Sequence, residues 1–279
     1  IKNTFSNIKL KYIFVDDGSR DGSTEWLNKN LKRKFPIEDF EFIKLNKNYG
    51  KGYSIKKGIE RMVGDYVLFI DSDLEYDPDD LLTMYNVILE NDEIEVIYGS
   101  RNLGSKTQLR RYFLNGIAVK INTWIFNFLF KQHLTDLHTG SKIIKKNLLK
   151  DIEIKSNGFG LEIDLSGEIA KKNINIFEYG ISYFERSVDQ GKKITFTDGI
   201  LSYYYLFKSR FIRNNIDTQI TIIYSFFIFL FLGLMNEQGV TKILFGLFFP
   251  LAGLILALNR KIISISIIAF FLYIGKLFI

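Results

Sequence analysis

The chain has 279 residues, of which 47% are hydrophobic and 15% aromatic, and its formal net charge is +6. It has no cysteine and two histidines, which excludes disulfides and thiolate metal sites and disfavours a histidine-rich zinc site. The modest positive charge suits a membrane surface or anionic substrates. Basic stretches interleaved with aromatic residues are absent, so nucleic acid is not an expected partner.

Short apolar runs alternate with helical segments in the N-terminal part of the chain. The sequence predicts strands at 12–16, 40–45, 65–70 and 95–101. A helix follows each of the first three strands, and Ser23 or Thr24 is expected to cap the first helix. This alternation is typical of an α/β fold with a mostly parallel sheet, in which ligands bind beyond the carboxyl ends of the strands.

Three of the predicted strands end in polar clusters. The clusters are Asp16–Asp17, Asp71–Asp73 and Ser100–Arg101. Because the carboxyl ends of parallel strands lie at the same edge of a sheet, we expect the three clusters to converge on one site. Their convergence is stronger evidence for a site than any single cluster.

Asp71 and Asp73 are the candidate metal ligands. If the extended geometry of the strand continued, their carboxylates would share a face and repel each other unless a cation intervened. Oxygen ligands without histidine suit Mg²⁺ or Mn²⁺ bound together with a substrate diphosphate. Glu75 could bind the same metal directly or through water. The alternative is a turn without a ligand, since Asp is common after strands.

The next acidic residues have a structural explanation. Pro78 lies between Asp77 and the pair Asp79 and Asp80, which is the pattern of a helix start stabilised by the helix dipole. We assign these three aspartates no role in catalysis.

Two segments near the first two strands are compatible with nucleotide binding. Asp16 and Asp17 either shape a turn or accept hydrogen bonds from a base or a ribose. The stretch "NYGKGYS" resembles a phosphate-binding loop without its full spacing, and Gly50 and Gly52 could equally allow a tight helix start.

The C-terminal part has the pattern of a membrane-associated region. Helices are predicted at 109–132 and 160–172, and an amphipathic helix at 193–213 carries tyrosines beside lysine and arginine, which suits a membrane interface. The alternative for this helix is ordinary packing within the protein. Apolar spans follow at 220–235, 243–258 and 262–279.

The predicted organisation has three parts. They are a catalytic α/β domain at 1–190, an interface region at 191–215 and a transmembrane domain at 216–279 with two or three helices. Basic residues precede the first span and separate the second from the third. This distribution predicts a multi-pass protein of the cell (inner) membrane with the catalytic domain on the cytoplasmic side.

Six motifs, in this order, resemble those of the polyprenyl-phosphate glycosyltransferases of glycosyltransferase family 2, the dolichol-phosphate mannose synthase-like enzymes. The motifs are "VDDGSRDGST", "NYGKGYSIKKGI", "LFIDSDLEYDP", "IYGSR", "TDLHTGSKIIKK" and "ISYFERSVDQGKKITFTDGI". The resemblance runs from about residue 8 to 205. Each motif alone is weak, and the ordered set is specific.

The resemblance implies a fold, a reaction and partners. The fold would be GT-A, a Rossmann-like α/β fold, followed by membrane helices. The reaction would be the inverting transfer of a sugar from a UDP- or GDP-sugar to undecaprenyl or dolichyl phosphate, with Mg²⁺ or Mn²⁺ as cofactor. A phosphate monoester is largely a dianion at neutral pH, so this attack needs no general base. The lipid bilayer is a further partner, and a homo-oligomer stays open.

The resemblance also implies roles for individual donor-side residues. Asp17, with Asp16 beside it, would contact the base or the ribose. Asp71 and Asp73 would hold the metal on the donor diphosphate. Many family members have Gln where this chain has Glu75, which leaves the role of Glu75 between metal binding and sugar contact.

On the acceptor side, Arg101 with Arg110 or Arg111 would clamp the lipid phosphate. Asp136 and Thr139 lie in the acceptor-side loop of the family. A loop carrying Arg186, Lys192 and Lys193 would close over the phosphates. The residues expected to act in catalysis are Asp73, Arg101, Arg111 and Asp136.

The sequence departs from the family at its start and leaves alternatives open. Family members begin with a strand that ends in a Pro-x-Tyr-Asn-Glu-like motif, which nothing here matches, so we expect the sheet to lack its first strand. A non-catalytic membrane scaffold and a family 2 enzyme with a different acceptor are the alternatives. A processive polysaccharide synthase would carry a Gln-x-x-Arg-Trp-like motif, and a phosphatase would carry Thr at the position of Glu75.

Overall fold

The computed structural model describes residues 4–104, 106–158, 160–187, 189 and 196–212. The described residues up to Ser209 belong to one compact unit, and those from Arg210 to a second. The three predicted membrane spans lie outside the described residues, and the domain limits stay a prediction.

The elements lie close to their predicted positions. The strands are β1 (Tyr12–Asp16), β2 (Phe40–Lys44), β3 (Tyr66–Phe69), β4 (Val96–Ser100), β5 (Gln108–Leu109), β6 (Lys142–Lys145), β7 (Phe177–Gly180) and β8 (Tyr183–Phe184). The helices are α1 (Ser23–Lys34), α2 (Lys51–Ile59), α3 (Pro78–Glu90), α4 (Phe113–Phe130), α5 (Lys146–Lys150), α6 (Leu161–Lys171) and α7 (Phe196–Phe207), and a π-helical turn, Lys208–Ile212, follows α7.

The main sheet is mixed rather than mostly parallel. Its strand order is β3-β6-β4-β7, and β6 runs antiparallel to both of its neighbours while β4 and β7 are parallel. Because β3 and β4 are both antiparallel to β6, they run in the same direction, and their carboxyl ends lie at the same edge of the sheet. The sequence did not indicate the direction of β6, since a short apolar run carries no information on its partners.

A parallel pair, β1 and β2, forms a separate small sheet among the described residues. A cleft of about 1890 Å³ is lined by residues of both β1 and β3. Asp16, Asp17, Lys51 and Asp71 also line it, so the strand-end aspartates of both sheets face the same space.

The core is formed where α3 packs against the main sheet. Leu81, Met84 and Ile88 recur at helical spacing and are at most 1% exposed. They belong to one cluster with Ile97 and Ile143 of the sheet. Burying an aliphatic side chain of this size stabilises the fold by about 1.5–3 kcal/mol, so this cluster holds β3 and β4 in fixed positions.

Two predicted helix starts have different outcomes. Asp77 caps α3 by accepting a hydrogen bond from the amide of Asp79 at 3.0 Å, with Pro78 at the first helical position, as predicted. The prediction for α1 is wrong, because its N-cap is Gly22 and no side chain caps it. Thr24 instead donates a hydrogen bond from its hydroxyl to Asp16, and so stabilises the turn after β1.

Within the described residues, one helix, α4, is long and apolar enough to cross a membrane by length and composition. Only 28% of its apolar window is buried. A core helix of a soluble protein can meet the same criteria, so this property by itself is weak evidence for a span.

Candidate active site

Asp16 organises the turn that follows β1. Its carboxylate is 4% exposed and accepts hydrogen bonds from the amide of Ser19 at 3.0 Å and from the hydroxyl of Thr24. Burial alone would raise the pKa of Asp16, but these hydrogen bonds outweigh it and lower the pKa. Asp16 is therefore an ionised, buried carboxylate that shapes the loop.

Asp17 joins this loop to the start of α2. Its two oxygens accept hydrogen bonds from the amides of Tyr49 and Gly50, each at 2.8 Å. Gly50 has φ of 97°, and a Cβ there would lie 2.5 Å from the carbonyl oxygen of Asn157, so only glycine fits. Each carboxylate oxygen keeps a second lone pair for a ligand, so nucleotide contact by Asp17 stays a prediction.

Asp71 is paired with a cation that the sequence analysis did not select. The Nζ of Lys51 lies 2.9 Å from Asp71 and 2.9 Å from the Oε1 of Glu162. Burial would lower the pKa of Lys51, but Glu162 and Asp71 outweigh it and raise the pKa. Lys51 is thus a firmly charged ammonium group between two carboxylates.

The carboxylate of Asp71 lies against the backbone of Gly140. A Cβ at Gly140 would come within 2.3 Å of Asp71 Oδ2, so the site has room for this carboxylate because residue 140 is glycine. The amide of Gly140 is held by the hydroxyl of Tyr76 at 2.9 Å. The side chain of Asp71 is still 32% exposed, so it is positioned by the protein and open to a ligand.

Asp73 is paired with Arg186, which comes from the segment after β8. The Nη2 of Arg186 lies 3.1 Å from Asp73 Oδ2. The chain does not stay extended after β3, because Leu74 has φ of 63° and the amide of Glu75 turns back to Asp73. Burial raises the pKa of Asp73 despite this amide, and the charges of Glu75 and Asp71 add to the rise. A second cation beside Asp73, in addition to Arg186, would further favour its ionised form.

Glu75 lies in a different set of contacts from that predicted for a metal ligand. It is 5% exposed and accepts hydrogen bonds from the hydroxyl of Tyr183 at 2.7 Å and from the amide of Arg186 at 3.0 Å. Among the residues that the structure describes, no group of three acidic or histidine side chains could share a metal ion. In this structure Glu75 holds the segment that carries Arg186, and its part in a metal site with Asp71 and Asp73 stays a prediction.

Arg101 and Asp136 form a closed ion pair at the end of β4. The Nε and Nη2 of Arg101 donate to the two oxygens of Asp136 at 2.6 and 2.8 Å, and the amide of Arg101 adds a third bond at 3.0 Å. Asp136 is fully buried. Burial would raise its pKa, but Arg101 outweighs this and lowers it. A bidentate pair of this kind fixes the plane of the guanidinium group.

The other predicted acceptor residues are less uniform. Arg110 is exposed and donates to Asn102 Oδ1 at 2.9 Å and to the carbonyl oxygen of Arg101. Arg111 is exposed and donates to the carbonyl oxygen of Glu185 at 2.9 Å. Thr139 is fully buried, and its hydroxyl accepts from the amide of Ser141 at 3.2 Å, so it shapes the loop before β6. Lys192 and Lys193 lie outside the described residues.

The structure also shows buried charged residues that sequence reasoning missed. Lys142 is 3% exposed, lies over the ring of Tyr98, and has a pKa lowered to about 8 by burial, which Glu162 partly offsets. His138 has a pKa lowered to about 4, again by burial. The available signals were Lys142 beside the apolar residues of β6 and Glu162 within the apolar α6. The partners of these residues are distant in sequence, so the sequence alone did not indicate what they do.

With this geometry established, the comparison with protein families is decisive. Residues 1–153 match the model of the family described as glycosyl transferase family 2. The chain belongs to this family. The assignment to glycosyltransferase family 2 that was inferred from the motifs is therefore confirmed.

Several similar proteins have names that describe enzymes acting on polyprenyl phosphates. The chain is similar to the dolichyl-phosphate beta-glucosyltransferase of Saccharomyces cerevisiae, with 26% identity over 72% of this chain and 66% of the relative. It is similar to the enzyme of the same name from Dictyostelium discoideum, with 24% identity over 70% and 61%. The matched regions thus span less than two thirds of these relatives. An undecaprenyl-phosphate 4-deoxy-4-formamido-L-arabinose transferase of Pseudomonas savastanoi is 37% identical over 27% of this chain and 22% of its own length.

Solved structures support the fold. The chain is similar to glucosyl-3-phosphoglycerate synthase from Mycobacterium tuberculosis, with a TM-score of 0.52 and 16% identity over 74% of this chain and 71% of that one. A second structure of this synthase, in complex with Mn²⁺, UDP and glucosyl-3-phosphoglycerate, has a TM-score of 0.51 and 15% identity over 72% of this chain and 68% of that one. The described residues therefore have a GT-A-like α/β glycosyltransferase fold.

Proposed function

We propose that this protein transfers a sugar from a UDP- or GDP-sugar to a polyprenyl phosphate at a membrane, with inversion at the anomeric carbon. The observation that carries the proposal is that two strand-end carboxylates, Asp71 and Asp73, are paired with separate cations, Lys51 and Arg186. The guanidinium group of the Arg101–Asp136 pair lies 5.0 Å from the ring of Tyr183, whose hydroxyl donates to Glu75 in the same acidic stretch. The names of the relatives support the acceptor, and the complexes of the solved structures support a nucleotide donor with a divalent metal.

Asp71 and Asp73 suit a divalent metal on the donor diphosphate. Both are carboxylates of the kind that Mg²⁺ and Mn²⁺ prefer, Asp71 is partly exposed, and the raised pKa of Asp73 marks an unfavourable negative charge. When bound, the metal would neutralise the negative charge that develops on the leaving diphosphate. Lys51 and Arg186 already lie beside these carboxylates and can turn toward the same phosphates.

The acceptor phosphate needs fixed positive charge but no base. Its dianionic oxygen forms the new bond to the anomeric carbon while the bond from that carbon to the diphosphate breaks, and the diphosphate leaves with the electron pair. No proton moves in this step. Arg101, held in one plane by Asp136, and Arg110, bonded to the backbone of Arg101, present donors on this side. Their contribution is to position two anions that repel each other.

The test is a donor and acceptor panel with membranes that carry the full-length protein. We expect one labelled UDP- or GDP-sugar to give a polyprenyl-phosphate sugar, detected by mass spectrometry, and Asp73→Asn to abolish the product. Asp77→Asn is the matched control in the same stretch, because Asp77 is an exposed helix cap and Asn is an equally good cap. A product that forms equally well with Asp73→Asn, or no product from any donor, would refute the proposal.

A further inference from the structure

Helix α4 exposes an unusual surface for a folded domain. Six large apolar side chains point outward, and they are Phe113 (81% exposed), Leu114 (76%), Ile117 (39%), Ile121 (44%), Trp124 (69%) and Phe128 (55%). Their spacing follows the helical repeat, so they form one continuous stripe, here named the α4 apolar face. From Phe113 to Phe128 it extends about 22 Å at 1.5 Å per residue.

The opposite face of α4 is fixed in the protein. Asn122 donates to the hydroxyl of Ser202 on α7 at 2.6 Å, and Thr123 accepts from the amide of Leu137 at 3.2 Å. Phe126 and Phe130 are buried beside them and stack on each other. One side of α4 is therefore occupied by contacts within its own compact unit, and only the opposite side is open to another partner.

The exposed charged side chains of α4 and its flanking residues have one sign, while the carboxylate of Glu185, which accepts from the amides of Arg111 and Tyr112, is only 8% exposed. Exposed cations lie before the helix, within it and after it, at Arg110, Arg111, Lys120 and Lys131. No Asp or Glu occurs between Arg101 and Thr135. An apolar stripe with tryptophan and phenylalanine, with exposed cations at both ends, is the pattern of a helix in the interface of an anionic lipid bilayer.

We propose that the α4 apolar face lies in the head-group region of an anionic lipid bilayer. A second copy of the chain is a poorer occupant, because a symmetric contact would bring the same exposed cations of both copies together. The neighbouring α7, which is bonded to α4 through Ser202, also exposes apolar and aromatic side chains, with Leu201, Tyr203 and Tyr204 between 40% and 51% exposed.

This placement specifies how the acceptor reaches the site, and in that respect it rests on the proposed function. Arg110, at the N-terminal end of α4, is hydrogen-bonded to the backbone of Arg101 and to Asn102. A lipid whose tail stays in the bilayer therefore brings its phosphate to the arginine cluster at that end of α4. The acceptor need not leave the membrane to be used.

The two tryptophans of the chain provide a direct test. Trp26→Phe leaves Trp124 as the sole tryptophan, and Trp124→Phe leaves Trp26, which lies on α1, is 54% exposed and lines the cleft between β1 and β3. The full-length variants are reconstituted in phosphatidylglycerol-containing vesicles with brominated acyl chains. We expect brominated lipid to quench Trp124 and aqueous iodide to quench Trp26.

Each other outcome overturns the proposal. Quenching of Trp124 by iodide and not by lipid would place the α4 apolar face in water. Quenching by neither agent would place it against protein, such as a second copy. Because fluorescence does not depend on sugar transfer, a lipid-quenched Trp124 in a protein without transferase activity would refute the proposed function alone.

A substitution sharpens the test. In the Trp26→Phe background, Ile121→Asp adds a charge to the stripe one helical turn before Trp124, and we expect the lipid quenching of Trp124 to fall by more than half. Ile37→Asp, at a site that is 70% exposed outside α4, is the matched control and leaves the quenching unchanged. Melting temperatures of both variants check that the fold is kept, and unchanged quenching in Ile121→Asp contradicts the proposal.

Discussion

The two sides of the candidate site hold their charges in different ways. On the proposed acceptor side, Arg101 and Asp136 form a bidentate pair with 14% and 0% exposed side chains. On the proposed donor side, Lys51 and Asp71 form a pair in which both side chains are 32% exposed. A closed pair works as a fixed part of the framework. An open pair can exchange its partners, which a metal and a diphosphate require.

Removal of the fixed charge has the largest expected effect. Asp136→Asn keeps the size of the side chain and leaves the guanidinium group of Arg101 without a counter-charge, which costs about 3–5 kcal/mol in the free energy of unfolding. Urea unfolding monitored by fluorescence measures this loss. Asp151→Asn, whose partner Lys172 is 4.0 Å away and whose side chain is 73% exposed, is the control with a change below about 0.5 kcal/mol. Equal stability of the two variants would show that the Arg101–Asp136 pair is not fixed.

The position of the Asp71 carboxylate can be changed without altering its charge. In Gly140→Ala, the new Cβ would lie 2.3 Å from Asp71 Oδ2, so the carboxylate must move. We expect the affinity for Mn²⁺ to fall by about 10–100-fold, as when a supporting contact of a metal ligand is lost. Calorimetric titration with Mn²⁺ in the presence of UDP measures it. Gly116→Ala in α4, where the nearest atom is 4.0 Å away, is the control and keeps wild-type affinity.

Exchange of partners predicts an opposite effect at Lys51. Lys51→Met removes the cation that neutralises Asp71. In the nucleotide-free variant, Mn²⁺ therefore binds Asp71 without competition from the ammonium group of Lys51. We expect the affinity for Mn²⁺ to rise by about tenfold, or about 1.4 kcal/mol. Electron paramagnetic resonance of free Mn²⁺ measures it. Lys57→Met, which breaks the surface pair with Glu60 and a cation–π contact with Tyr53, leaves the affinity unchanged. A lower affinity in Lys51→Met would mean that Lys51 serves to position Asp71 and does not exchange.

The same contrast explains what the sequence could predict. Strand-end carboxylates were located correctly because an apolar run followed by Asp is a local signal, and the α3 cap was found for the same reason. The roles of Glu75, Lys51 and Glu162 depend on contacts with residues up to 111 positions away, such as Glu75 with Arg186. No local pattern carries such contacts, and the antiparallel direction of β6 was missed for that reason too.

The smallest expected effect concerns His138, next to the fixed pair. Burial lowers its pKa to about 4, which Glu162 and Asp136 oppose and Arg101 and Lys142 reinforce. His138 is therefore neutral in the folded protein at pH 7.

In the unfolded chain His138 takes up a proton near its ordinary pKa of about 6.5, and in the folded protein only near pH 4. Stability is therefore lost as the pH falls from about 6.5 to 4. The full shift corresponds to about 3 kcal/mol, and because the ring is partly exposed we expect about 1 kcal/mol. His138→Gln should remove this component, so the difference in unfolding free energy between wild type and variant changes with pH only in that window. A difference that stays constant from pH 7.5 to 4.5 would show that folding leaves the pKa of His138 at its ordinary value, and that burial beside Arg101 and Asp136 does not disfavour its protonated form.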